Sequence, residues 1–198
     1  METLPRIGVS RSEMMKRVAR FKELKGFDGG LPDSRMPGCE RTLYNVIGFQ
    51  PPKDAAEAVT SPVGDDAARL AAIKINEGFN LGFCRAKPGN GPMMHNHDTN
   101  ETFIAMTGRW RCSWENEKGA VEHVDLDPLD VISFPPGAIR RFENVTEGDR
   151  DEEATAGGVH RPGHAATGES GRMAKQELSL RGERVPRRPD RSPTRTAN

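Results

Sequence analysis

The stretch that decides the fold is GNGPMMHNHDTNETFIAMTG at residues 89–108. Side chains alternate between the two faces of a strand, so His95 and His97 point to the same side. Glu101 has the same parity, and it joins the two histidines if the chain bends near 98–100. Two imidazoles and one carboxylate that converge in this way bind divalent first-row metals and leave coordination positions open for a substrate or dioxygen.

The alternative interpretation is that His95 and His97 are two surface histidines in a polar loop. The spacing Gly-x5-His-x-His-x3-Glu-x6-Gly argues against it. At ordinary residue frequencies these five positions match by chance on the order of once in 10⁷ starting positions. We therefore favour the metal site.

Short apolar runs dominate the chain after about residue 68, and Gly or Pro turns separate them about every 8 to 12 residues. Many short strands with such turns predict an all-β antiparallel sandwich or barrel. A further strand is predicted at 43–49, and 69–75 is either a strand or a helical turn. The remaining predicted strands are 79–87, 93–98, 101–106, 109–115, 121–126, 130–134 and 139–145.

The N-terminal part, residues 1–38, is predicted to contain one helix and a turn-rich loop. Ser10 and Glu13 have the spacing of a capping box, and apolar residues recur at helical spacing behind them. We place the helix at 10–25. Residues 39–146 then form the barrel.

The C-terminal part, residues 147–198, contains few large apolar side chains. Such a stretch cannot bury enough apolar area to offset its ordering entropy, so we predict a disordered tail that is basic and rich in Gly and Pro. His160 and His164 are interpreted as residues of this tail.

Two stretches of the sequence resemble the two motifs of the cupin superfamily. Residues 89–108 match every fixed position of the first motif, and PPGAIRRFEN at 135–144 resembles the second, P-x-G-x2-H-x3-N. The resemblance spans about 79–145. It implies a double-stranded β-helix, the jelly-roll barrel of the cupins, and a homodimer. It also implies one metal inside the barrel, with His95, His97 and Glu101 as its ligands.

Arg140 stands where the family has the histidine of the second motif. A guanidinium has no lone pair to offer, so Arg140 cannot be a metal ligand. It either clamps a substrate carboxylate beside the metal, or pairs with Glu101 in competition with the metal, or is solvated at the barrel mouth. We favour the clamp, because a buried cation beside a divalent ion requires an anion, which an acidic substrate supplies.

A jelly roll normally closes with an apolar strand after the second motif, and here the chain continues into Gly-Asp-Arg-Asp-Glu-Glu. Either the strand at 43–49 fills the vacant position, or residues 147–198 are a frame-shifted reading of the gene. The second hypothesis is motivated by the abrupt change in composition.

These features predict a metal-dependent cupin enzyme, an oxygenase that acts on a small organic acid. Iron(II) is the favoured metal, with manganese, nickel and zinc as alternatives, and Arg140 is the catalytic candidate besides the ligands His95, His97 and Glu101. Isomerase or lyase chemistry suits the same ligands. The rival function is a non-catalytic module that binds a small anion.

The composition indicates which binding partners and which cellular compartment to expect. The 29 basic residues balance the 29 acidic ones, so neither nucleic acid nor an anionic membrane is indicated. No apolar run is long enough to span a membrane, and the N-terminus lacks the apolar stretch of a signal peptide. Three widely separated cysteines predict reduced thiols and a cytoplasmic protein.

Overall fold

The computed structural model of the protein describes residues 6–29, 31–48, 69–75, 77–148 and 154–162. In chain order its elements are helix α1 (Arg11–Met15), a 3-10 turn (Phe21–Glu23), β1 (Gly26–Phe27), β2 (Thr42–Ile47), β3 (Asn80–Ala86), β4 (Thr99–Ala105), β5 (Trp110–Glu115), β6 (Val121–Leu126), β7 (Val131–Phe134), β8 (Arg140–Asn144) and β9 (Ala154–Pro162). No helix within these ranges has the length and apolar character needed to cross a membrane.

The strands form two antiparallel sheets, one with the order β1-β2-β3-β9-β4-β7 and one with the order β6-β5-β8. Their inner faces meet in one apolar core. Phe103 of the larger sheet lies against Phe142 of the smaller one, with ring centroids 4.3 Å apart, and Phe142 contacts Trp110. This arrangement is all-β, as predicted, and is consistent with a jelly roll.

Most of the predicted strands are confirmed, and their ends agree within two residues. The exceptions are 93–98 and 69–75. The first forms only a single bridge, in which His95 and Arg140 exchange two backbone hydrogen bonds of 3.0 and 2.8 Å. The second begins as a helical turn and then makes one bridge, between Ile73 and Ile47.

Helix α1 begins where the sequence predicts and ends much earlier. The Ser10 side chain accepts a hydrogen bond from the Glu13 backbone N–H, but the helix stops at Met15 instead of continuing to residue 25. None of its residues is buried, and Val18 beyond it is 42% exposed. Phe21 of the predicted apolar stripe packs against the larger sheet from the 3-10 turn, whereas α1 itself buries no residue and so lacks the packing on which short helices depend.

Strand β9 contradicts the prediction that all of 147–198 is disordered. Ala154–Pro162 pairs with β3 on one side and with β4 on the other, so it lies inside the larger sheet. It fills the position of the closing strand, for which the sequence analysis had proposed residues 43–49. Because residues 154–162 pair with both neighbours as a regular strand, the frame-shift hypothesis is no longer needed to explain the sequence up to residue 162. His164 and the rest of the C-terminal part lie outside the described residues.

Small side chains explain both the position of β9 and the failure to predict it. Ala154 and Ala156 are 2% and 3% exposed in the shared core. Gly158 faces the Phe103 ring, which a side chain at that position would contact at 3.6 Å. A central strand packed against bulky rings therefore needs few large apolar residues of its own, and composition alone does not reveal it.

The glycine-rich start of the first motif fits closely against β8. A side chain on Gly91 would place its Cβ 1.9 Å from the Phe142 carbonyl oxygen, which is not sterically possible. Gly89 has a φ of +83°, a conformation that glycine adopts without strain, and its N–H bonds the Asn144 carbonyl at 2.7 Å. These contacts hold the segment before His95 against the smaller sheet.

A pair of substitutions in β9 tests its place in the sheet. Ala156→Asp puts a carboxylate into the core without a partner, and it should lower the free energy of unfolding by about 2–4 kcal/mol. Thr155→Asp, on the opposite face of the same strand, should change it by less than about 1 kcal/mol. Urea denaturation measures both values. If Ala156→Asp unfolds at the same urea concentration as the unmodified protein, residues 154–162 are not part of the core.

Candidate metal centre

The structure brings His95, His97 and Glu101 together. One potential ligand atom of each residue lies within 4.8 Å of those of the other two, and the two imidazole centroids are 5.0 Å apart. Glu101 belongs to β4, whereas both histidines belong to the segment that precedes it. The three residues that the sequence singled out therefore face one point.

The convergence arises because the histidine segment contacts the smaller sheet before the chain enters the larger one. The backbone bridge between His95 and Arg140 ties the segment to β8. Two residues on, the His97 carbonyl accepts a 2.8 Å hydrogen bond from the N–H of Gly137. The chain then turns into β4 at Thr99. This turn between His97 and Thr99 is the bend predicted near 98–100.

Both histidines are in the form that metals bind. His95 Nδ1 lies 2.7 Å from the Met93 carbonyl oxygen and must donate its proton there, which leaves Nε2 unprotonated. Burial lowers the pKa of His95, and burial lowers the pKa of His97 to about 3. Both imidazoles are therefore neutral near pH 7 and carry a free lone pair.

Glu101 is only 3% exposed and is bound by two other side chains. Oε2 accepts hydrogen bonds from Arg140 Nε, at 2.8 Å, and from Arg140 Nη2, while Oε1 lies 2.8 Å from His160 Nε2. Burial acts to raise the pKa of Glu101, but His160 and then Arg140 outweigh it, so the pKa lies well below its usual value. The carboxylate is ionised.

The arrangement leaves Glu101 one free lone pair. Each carboxylate oxygen has two acceptor sites, and Arg140 uses both of those on Oε2, whereas His160 uses one on Oε1. The donors that remain are one nitrogen each on His95 and His97 and one lone pair on Oε1 of Glu101. Such a set of two neutral imidazoles and a carboxylate fits a divalent first-row metal.

Arg140 does not have the orientation that a substrate clamp needs. It is 1% exposed, and Nη1 also lies 3.3 Å from the Ala138 carbonyl and 3.5 Å from that of His95. Four of its five N–H groups thus have acceptors in the protein. Of the three predicted positions for Arg140, the structure shows the pair with Glu101 and contradicts solvation at the barrel mouth. A buried guanidinium takes the nearest carboxylate as its partner.

His160 is a part of the site that the sequence analysis missed. It is 6% exposed in β9, directly opposite Glu101 of β4, and its ring centroid lies 5.4 Å from that of His97. Its Nδ1 is buried and has no hydrogen-bond partner among the described residues. The inward alternation of Ala154, Ala156 and His160 was the available signal, but small residues made the strand look like a tail.

A cavity of about 70 Å³ adjoins the three predicted ligands. By the space that one water requires, it holds roughly five waters, or a ligand of similar size. Its wall is formed by Leu31, Arg41, Leu43, Asn80, Gly82, Phe83, Cys84, Pro92, His95, His97, Glu101, Phe103, Phe142, Ala156, Gly158 and His160. Burial raises the pKa of the Cys84 thiol to about 12, so this wall residue is not a nucleophile near pH 7.

The two sheets, the cavity between them and the two motifs on facing elements decide the fold. The chain has the fold of the cupin superfamily. No protein-family model matches the sequence, and no curated protein matches it. The chain is similar to several solved structures, one of which is described as a cupin barrel domain protein.

A cupin 2 conserved barrel domain protein from Salinispora arenicola is 30% identical over 44% of this chain and 66% of its own, with a TM-score of 0.37. Peruvianin-I, a cysteine peptidase from Thevetia peruviana latex, is 18% identical over 82% of this chain and 84% of its own, with a TM-score of 0.49. Oxalate decarboxylase from Lactobacillus farciminis is 13% identical over 71% of this chain and has a TM-score of 0.45. The chain described here spans only 32% of that enzyme.

The contacts of Glu101 predict the effect of removing its charge. Glu101→Gln leaves the Arg140 guanidinium buried without an anion, so it should lower the free energy of unfolding of the metal-free protein by about 3–5 kcal/mol. The double variant Glu101→Gln/Arg140→Met removes both charges and should recover most of that loss. Denaturant unfolding of the metal-free variants gives these values.

The matched control is Glu143→Gln, which removes the partner of Arg141 on the same strand, β8. That pair spans 2.9 Å, and its side chains are 32% and 28% exposed, so the loss should stay below about 1 kcal/mol. A Glu101→Gln variant no less stable than this control contradicts the buried pair.

Proposed function

We propose that the protein is a metal-dependent cupin enzyme that acts on a small organic acid, and more specifically that it is an iron(II) oxygenase. The observation that carries the proposal is the convergence of His95, His97 and Glu101 beside a partly open cavity. Neither the two imidazoles nor the carboxylate is needed to build an apolar core. Their shared position next to a ligand-sized space supports a role in chemistry.

The surrounding residues prepare the ligands for a metal. The Met93 carbonyl fixes the tautomer of His95, and Arg140 and His160 keep Glu101 ionised. Iron(II) held by two imidazoles and one carboxylate leaves open positions at which a substrate and dioxygen meet. Manganese, nickel and zinc suit the same donors, as does isomerase or lyase chemistry.

Charge and size favour an acid as the substrate. A divalent metal and the Arg140 guanidinium together outweigh the single negative charge of Glu101, so the loaded site carries an excess of positive charge inside the barrel. Buried charge of one sign requires a counter-charge, which a carboxylate provides. The cavity of about 70 Å³ suits a small acid.

A second candidate function is a metal-free module that binds a small anion. The observation in its favour is that Arg140 and His160 already occupy both oxygens of Glu101. In that case no metal is needed to balance the carboxylate, and the cavity binds an anion without changing it.

Metal binding separates the two functions. Protein purified without oxygen or chelators and reconstituted with iron(II) should retain about one iron per chain, as measured by mass spectrometry of the metal content. His97→Ala removes one of three ligands and should abolish this stoichiometric binding. His123→Ala, an exposed histidine of β6, is the control and should bind iron normally.

Two results would contradict parts of the proposal. If the reconstituted protein retains no iron, manganese, nickel or zinc, the metal-dependent enzyme is excluded and the anion-binding module is favoured. If iron is bound and no dioxygen is consumed with any member of a panel of small organic acids, the oxygenase assignment is wrong and isomerase or lyase chemistry remains. We further propose a cytoplasmic homodimer, as the cysteine content and the family resemblance predict.

A further inference from the structure

The cavity wall contains a buried arginine that the sequence analysis did not single out. Arg41 lies one residue before β2, and its side chain is 4% exposed. Nη1 donates to the Cys39 carbonyl at 2.8 Å, and Nη2 donates to Asp33 Oδ1 at 2.9 Å. Two of its five N–H groups therefore have acceptors among the described residues, which leaves three donors.

The negative partner of Arg41 is bound through both of its carboxylate oxygens. Asp33 bonds Arg41 through Oδ1 only, while its Oδ2 accepts the Met93 backbone N–H at 2.9 Å. Within the described part of the chain, Arg41 belongs to the cavity wall and Asp33 does not. The member of the ion pair that lines the cavity is thus the positively charged one.

Met93 connects this pair to the proposed metal centre. Its N–H is bound by Asp33, and its carbonyl is bound by His95 Nδ1 at 2.7 Å. The guanidinium and the imidazole are therefore held to the same short piece of backbone, at two places on one cavity wall. Such a rigid connection is what a two-point binding site requires.

Arg140 and Arg41 differ in what they can offer a ligand. Arg140 donates four N–H groups to protein acceptors and is not among the described residues of the cavity wall. Arg41 lines the cavity and retains three donors. A purely structural role for Arg41 explains its bonds to Asp33 and Cys39. It does not explain why a residue whose guanidinium retains three donors belongs to the cavity wall.

We propose that Arg41 binds the carboxylate of a small monocarboxylic acid inside the barrel. A guanidinium matches a carboxylate through paired N–H groups. With its carboxylate on Arg41, the acid directs its other end toward His95 and His97, which belong to the same cavity wall. This orientation of the reacting end rests on the proposed function, whereas carboxylate binding by Arg41 does not.

The test compares acetate with acetamide, which has nearly the same shape and no charge. Each is titrated at constant ionic strength into metal-free protein, and binding is followed by NMR chemical shifts. The unmodified protein should bind acetate more tightly than acetamide. Arg41→Gln should weaken acetate binding by about tenfold or more and leave acetamide binding unchanged, and Arg41→Lys should fall between.

The experiment includes a control arginine and a second variant in case Arg41→Gln does not fold. Arg111→Gln removes an arginine that pairs with Asp125 at 2.7 Å and is not part of the described cavity wall, so its acetate binding should be normal. If Arg41→Gln does not fold, Asp33→Asn/Arg41→Gln removes both charges of the pair and replaces it.

Two outcomes would overturn the proposal. In the first, Arg41→Gln or the double variant binds acetate as tightly as the unmodified protein does. In the second, the unmodified protein shows no preference for acetate over acetamide. Because the titration uses metal-free protein, a failure of metal binding leaves this result interpretable by itself.

Discussion

The buried carboxylate of Glu101 is the group on which the rest of the site depends. It lies on β4, and it is bound by Arg140 of the smaller sheet and by His160 of the neighbouring strand β9. The same Arg140 exchanges backbone hydrogen bonds with His95. One negative charge thereby links both sheets and the segment that carries the histidines.

In the metal-dependent function proposed above, Glu101 would have two roles. It is the anion of a buried ion pair with Arg140, and as a metal ligand it would also share its charge with a second cation. The two roles are geometrically compatible, because Arg140 binds one carboxylate oxygen and leaves a lone pair on the other. The positive charge of Arg140 beside such a metal would increase the need for an anion in the cavity, and Arg41, as proposed above, would bind that anion.

The sequence predicted the local features well, since they depend on spacing and turns. The first motif located His95, His97 and Glu101, and alternation with Gly and Pro turns located most strands. The missed features depend on contacts between distant segments. β9 was missed because small residues suit its place between bulky rings, and His160 was missed with it. The predicted length of α1 was wrong because the helix buries no residue, and Phe21 packs against the larger sheet from a separate 3-10 turn. Nothing local in the sequence shows that Arg41 faces the cavity.

The central claim is that His95, His97 and Glu101 bind one metal while Arg140 remains hydrogen-bonded to Glu101. A crystal structure of the iron(II)-loaded protein, with anomalous scattering measured at the iron edge, tests it most directly. The account requires one anomalous peak about 2.0–2.2 Å from His95 Nε2, from a ring nitrogen of His97 and from Glu101 Oε1, a range typical of such ligands. Iron-soaked crystals without a peak at that point, with Glu101 still bound by Arg140 and His160, would contradict it.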